Sequence, residues 1–226
     1  MPEPTFLTSQ FFPFNPSVGV FLGRIGWICA QSLMLTSCLY IGTFFAKLLD
    51  HLSSQRESKS PEPRDTWLQC LRNYIIGPCT EELVFRSCML TSIQHLNPHV
   101  SKATLMLTPP LYFGIAHIHH AWESLKQGGF TKRAGRLAFQ SSALQFTYTS
   151  VFGWYADFLF MRTGTVWAPL TAHILCNVMG LPKFSTHRNG SPMKYIQVCA
   201  HLTGFALFII SLMPLTSTSA PGSLKA

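Results

Sequence analysis

The chain has 226 residues, 47% of them hydrophobic and only 12% charged, where an average soluble domain carries roughly 25%. Eighteen Phe strengthen the bias, which excludes intrinsic disorder, whose signature is low hydrophobicity, and leaves little room for a small soluble disulfide scaffold. Seventeen Lys and Arg against nine Asp and Glu give a formal charge of +8, a balance that suits nucleic acid or an anionic membrane until the placement of the bases decides between them.

Residues 1–16 are rich in Pro and Phe, with one acid and no base. They lack the basic n-region of a secretory signal, and a leader is expected over residues 1–24. Ile25 to Ala46 is 22 residues without a charge, enough for a membrane span, which needs about 20. Residues 47–66 are polar, with Ser and Pro, and read as a loop. Trp67 to Ile93 reads as a long helical segment, unusual in carrying Arg72, Glu81, Glu82 and Arg86 within apolar sequence. Pro78 predicts a boundary or kink just before the glutamates.

Four further uncharged stretches follow: Ala103 to Trp122, interrupted by Pro109 and Pro110; Leu137 to Ala156, ended by Asp157; Thr163 to Pro182; and Tyr195 to Leu215. The pattern predicts an all-α, polytopic membrane bundle of about six embedded segments over residues 25–215, with a tail at 216–226. Cys29, Cys38, Cys70, Cys79, Cys88, Cys176 and Cys199 are odd in number, form no CxxC pair and lie mostly in apolar runs. They read as small core hydrophobes rather than disulfides or metal ligands.

If the six segments alternate across the bilayer, Lys47, Arg56, Lys59, Arg64, Lys126, Lys132, Arg133, Arg136, Lys183, Arg188 and Lys194 share one side. The other receives Arg24, Lys102, Arg162 and Lys225. The positive-inside rule places the larger group in the cytosol. The positive charge is then a matter of topology, the partner is a lipid bilayer, and no nucleic acid is expected.

An ionisable group in a bilayer costs about 2.5–3.5 kcal/mol on insertion scales, so polar residues inside these segments carry information. Glu82 and Arg86 are four apart, with Glu on the N-terminal side, the favourable order for an ion pair on one helix face. Glu81 points about 100° away on an α-helix. One carboxylate then reads as structural and the other as free, and a free carboxylate in an apolar cavity suits a general base. Phe113 and His117 share a face in the next segment, with His119 and His120 at its end near Glu123. His173 and Asn177 share a face in a third, and two convergent donors in a dry site suit an oxyanion. Each pair alone also fits an interhelical polar clamp. Together they suit water activation and attack on an amide carbonyl.

The runs EELVFR, FGIAH and HILCN, in that order and in membrane segments, resemble the EExxxR, FxxxH and HxxxN motifs of the CAAX prenyl protease 2 family of intramembrane endopeptidases. The sequences PCTEELVFRSCML and YFGIAHIHHAWE look like its eukaryotic members, and the resemblance extends over about Gly19 to Leu215. It implies a multi-pass protein of the endoplasmic reticulum membrane. Such a protein removes the last three residues of farnesylated or geranylgeranylated CAAX proteins, such as Ras-like small GTPases, without a cofactor or metal. By motif position, Glu81 is the expected general base acting with His117. His173 and Asn177 are expected to stabilise the oxyanion, Glu82 and Arg86 to hold the site, and Phe113 to shape its wall. Eukaryotic members carry about two spans ahead of the segment that begins at Ile25, so the alternative is an inactive short form acting as a membrane interaction protein. Two enzymatic alternatives remain: a zinc protease using His117, His173 and a Glu, although no HExxH occurs, and, more weakly, a cysteine protease using Cys79 or Cys88.

Overall fold

The computed structural model describes residues 18–52, 66–182 and 192–217, and among these every element is a helix. Most of the expected leader, of the polar loop and of the C-terminal tail lies outside the described residues. In chain order the helices are α1 (Val18–Cys38), α2 (Ile41–Leu52), α3 (67–96), α4 (Lys102–Ala116), α5 (His119–Gln127), α6 (Lys132–Thr163), α7 (Trp167–Met179) and α8 (Pro192–Thr216).

The uncharged run Ile25 to Ala46 is not one straight span: α1 and α2 meet at 68°. At the corner the amides of Leu39 and Tyr40 bond only three residues back, to Thr36 and Ser37, at 3.1 and 3.0 Å. Tyr40 Oη donates to the Gly180 carbonyl at 2.9 Å and fastens the corner to the end of α7. Helix α8 packs into the bend, where Gly42 lies against the His201 ring and Gly204 against the Cys38 carbonyl, too close for a Cβ on either glycine.

Pro78 does not break α3. The chain stays helical through residues 67–96, but the turn widens to a π-helix at Arg72–Ile76 and again at Leu83–Leu90, on either side of the α-helical Gly77–Glu82. The Gly77 amide bonds the Arg72 carbonyl, five residues back. In that register residue 78 would claim the Asn73 carbonyl, and proline has no N–H to offer. π-helical turns inside α-helices are uncommon and often mark functional positions.

Helix α4 likewise runs on through Pro109 and Pro110. Its proline side is pressed against α6: a Cβ on Gly153 would lie 2.7 Å from Pro110 Cβ, and one on Gly114 would lie 2.5 Å from Ser150 Oγ. Small residues at such a crossing let two backbones approach. The segment expected to run to Trp122 divides at His117 and Ile118, so that α5 is a separate helix. Helix α6 ends at Gly164, whose φ of 66° only glycine adopts without strain and whose amide closes on the Phe160 carbonyl.

Helix α7 has 13 residues, about 20 Å at 1.5 Å per residue, and is too short to cross a hydrocarbon core of about 30 Å. It is buried instead, packed on α1, α6 and α3. Ala168 and Ala172 of α7 join Ile28, Leu35, Leu159 and Phe208 in the main core, and a second core holds Leu90, Leu105, Phe160 and Val166. By length and composition, Met193–Thr216 qualifies as a membrane span, and Leu22–Cys38 with Ile41–Leu48 qualifies as a broken one. Many large apolar side chains face outward, among them Trp27, Phe139, Leu202, Phe205 and Ile210.

Candidate active site

Three helices deliver the polar residues that the apolar segments should not contain: α3 brings Glu81, Glu82 and Arg86, α6 brings Asp157, and α7 brings His173. Arg86 is fully buried and uses three different nitrogens. Its Nη1 donates to Glu82 Oε1 at 3.2 Å, its Nε to Asp157 Oδ1 at 3.0 Å and its Nη2 to the Gly153 carbonyl at 3.3 Å. The guanidinium carbon stands 5.0 Å from the centre of the Phe113 ring and 6.0 Å from that of Phe152. A buried cation is tolerated only when it is paired and hydrogen-bonded in this way.

His173 lies between the two glutamates. Its Nδ1 is 2.7 Å from Glu82 Oε1, and its Nε2 is 3.7 Å from Glu81 Oε2. The two carboxylates leave α3 in different directions, yet both reach this one imidazole, because its nitrogens face opposite ways. The environments of the glutamates differ sharply: the Glu81 side chain is 33% exposed and the Glu82 side chain 0%. Glu82 is therefore locked into the interior and Glu81 is partly exposed.

His117 caps α4, and its Nδ1 lies 2.8 Å from the Phe113 carbonyl. A carbonyl only accepts, so Nδ1 carries the hydrogen and Nε2 of the neutral ring is an acceptor. The His117 ring packs edge-on against Phe113 at 4.8 Å between centroids, and Phe113 in turn meets Phe85 at 4.9 Å and His173 at 6.3 Å. Phe113 is thus a shared wall between the two imidazoles. Asn177, one turn beyond His173, donates Nδ2 to the Asn73 carbonyl at 3.0 Å. That is the carbonyl Pro78 leaves unclaimed, so the proline in α3 and the amide in α7 are linked. The second amide hydrogen of Asn177 is not used in that bond.

Three contributors escape the motif pattern: Asp157, Phe152, whose ring is 4.8 Å from that of His173, and the Asn73 carbonyl. For Asp157 a signal existed. It is a lone acid between apolar residues, and the insertion cost that marks Glu81 and Glu82 applies to it equally. Phe152 and Asn73 carry no such mark in sequence. All seven cysteines are free thiols, with Cys79 and Cys88 on the exposed surface of α3. Among the described residues no group of three His, Cys, Asp or Glu side chains converges as a metal-binding set.

Fold and site together define an all-helical protein whose polar centre is assembled at the meeting of three helices beneath an aromatic wall. Residues 63–179 match the family model described as "Type II CAAX prenyl endopeptidase Rce1-like". The chain is 37% identical over 200 residues to CAAX prenyl protease 2 of Homo sapiens, covering 85% of this chain and 58% of that protein. It is 35% identical to the Arabidopsis thaliana protein of the same name over 203 residues, covering 81% and 62%. For the Saccharomyces cerevisiae one, identity is 33% over 201 residues, covering 83% and 62%. No solved structure matches. The chain belongs to the Rce1-like family of type II CAAX prenyl endopeptidases, and it spans about three fifths of the length of these curated relatives.

Proposed function

We propose that the chain is an intramembrane endopeptidase that removes the C-terminal aaX tripeptide from farnesylated or geranylgeranylated CAAX proteins, Ras-like small GTPases among them. The observation that carries this reading is the contrast between the two adjacent glutamates around His173, one sealed into an ion-pair network and one partly exposed. A water held between Glu81 and His117 Nε2 gives a proton to the Glu81 carboxylate as its oxygen attacks the scissile carbonyl carbon. The carbonyl oxygen takes up the electron pair as an oxyanion. Glu81 then returns the proton to the leaving amine nitrogen as the C–N bond breaks, and the tripeptide departs.

Two donors face the oxyanion, His173 Nε2–H and the second amide hydrogen of Asn177. Because His173 gives Nδ1–H to Glu82, its Nε2 donates only in the doubly protonated ring. The 3.7 Å between His173 Nε2 and Glu81 Oε2 is longer than a good hydrogen bond, so the two groups are not locked together.

The setting we infer is a multi-pass protein of the endoplasmic reticulum membrane, with about six embedded segments over residues 25–215, of which α7 is buried rather than crossing. The outward apolar side chains of α1, α6 and α8 support embedding, since a soluble surface rarely carries so many. The test is release of the tripeptide from a farnesylated CAAX peptide by membranes that lack any other CAAX protease, for wild type and Glu81→Ala, with and without a chelator. Cleavage by wild type alone, indifferent to chelator, is expected. Loss with chelator, restored by zinc, would replace the glutamate mechanism, and a folded but silent wild type would overturn the enzymatic reading.

A further inference from the structure

Asp157 takes no part in the steps above, and it is the only acidic residue after Glu123. It sits within α6 at 1% exposure, where a carboxylate is expensive to keep. Its Oδ1 accepts from Arg86 Nε at 3.0 Å, and one turn earlier on the same helix the Gly153 carbonyl accepts from Arg86 Nη2 at 3.3 Å. Helix α6 thus holds the guanidinium at two points of its rigid plane. The remaining edge of that plane meets Glu82 Oε1, and the same oxygen meets His173 Nδ1. Glu82 and Arg86 share α3, and Glu82 Oε1 meets His173 on α7 directly, but nothing within α3 holds the Arg86 end of that pair. The chain of contacts from Asp157 through Arg86 and Glu82 ties α6 and α3 to the imidazole on α7.

We propose that Asp157 is a positioning residue of this site: by anchoring Arg86 it fixes Glu82, and through Glu82 it orients the His173 ring so that Nε2 faces Glu81. It touches no reacting atom. The role rests on the reading of the site as hydrolytic. The competing account is a plain structural pair between α6 and α3, whose loss would lower stability and leave the turnover of each folded molecule alone.

The experiment compares the full chain with Asp157→Leu and Asp157→Asn, purified in detergent and quantified as folded protein. Asn keeps the volume and an acceptor for Arg86 Nε but not the charge, so it serves where Leu fails to fold. With the farnesylated peptide, kcat per folded molecule is expected to fall about 100-fold in Asp157→Leu, the scale of an ångström-sized misplacement, with KM within about threefold. Asp157→Asn is expected to fall between Leu and wild type. In parallel, 15N-imidazole spectra follow His173 and His117. The His173 Nδ1 resonance should move in both variants, and that of His117, held by the Phe113 carbonyl, should not. Unchanged kcat per folded molecule overturns the proposal. So does an unmoved His173 resonance, and that readout decides the matter even if wild type cleaves nothing, a result that would count against the hydrolytic reading alone.

Discussion

His173 Nδ1 lies 2.7 Å from Glu82 Oε1, inside a buried cluster in which the same oxygen also receives Arg86 Nη1 at 3.2 Å. The ring is therefore held from behind by a fully buried carboxylate, while its other nitrogen faces a partly exposed one. Two adjacent residues of identical chemistry are divided in this way between a sealed interior and a partly exposed face.

The division predicts opposite phenotypes for two conservative changes. Glu81→Gln should abolish cleavage and leave the melting temperature close to wild type, because its side chain is partly exposed and its loss orphans no buried group. Glu82→Gln should lower both, since breaking a buried ion pair typically costs about 3–5 kcal/mol. Thermal melts of the detergent-purified proteins beside the peptide assay separate the two. A strongly destabilised but active Glu81→Gln would reverse the assignment.

Asn177→Ala should reduce kcat by about 10²–10³-fold with little change in KM, the scale for losing one oxyanion donor. Pro78→Ala should act on the same residue from the other side. The new amide at position 78 can claim the Asn73 carbonyl and compete with Asn177 for it. Melting temperature is then expected to hold or rise while kcat falls. Equal kcat in Pro78→Ala and wild type would show that the Asn73 contact does not orient the amide.

The crossing of α4 and α6 should tolerate no side chain. Gly153→Leu must push Pro110 away, since even a Cβ would stand 2.7 Å from it. Because the Gly153 carbonyl also accepts from Arg86, stability and cleavage should fall together. Gly23→Ala is the control: nothing lies within 4 Å of the added Cβ, and relief of glycine's backbone entropy in α1 should stabilise by about 0.5–1 kcal/mol. A melt of both variants checks the pair.

Cys79→Ala and Cys88→Ala should retain full activity, since both thiols lie on the exposed surface of α3 and the proposed mechanism takes its attacking oxygen from water. Incubation with 1,10-phenanthroline should likewise leave the rate unchanged. Loss of cleavage in either cysteine variant would point to a thiol nucleophile instead.

The sequence alone determined the all-helical class, the ion-pair partner of Arg86 on its own helix and the residues most worth watching. These rest on local physics, namely charge-poor runs, four-residue spacing on one helix face and the expense of ionisable groups among apolar ones. Resemblance to a family pointed the same way, and the family match agrees. Spacing within one helix, however, says nothing about which helices meet. Only the tertiary structure decided that Glu81 and Glu82 converge on one imidazole, that Asp157 on α6 is the second anchor of Arg86, and that Asn177 answers a carbonyl freed by Pro78. It also decided that Ile25 to Ala46 bends by 68° and that α7 is a short buried helix, because uncharged composition marks both a lipid-facing span and a protein-facing core. Apolar burial is non-directional and leaves a pattern along the chain, whereas a polar site depends on distances of a few tenths of an ångström between groups tens of residues apart.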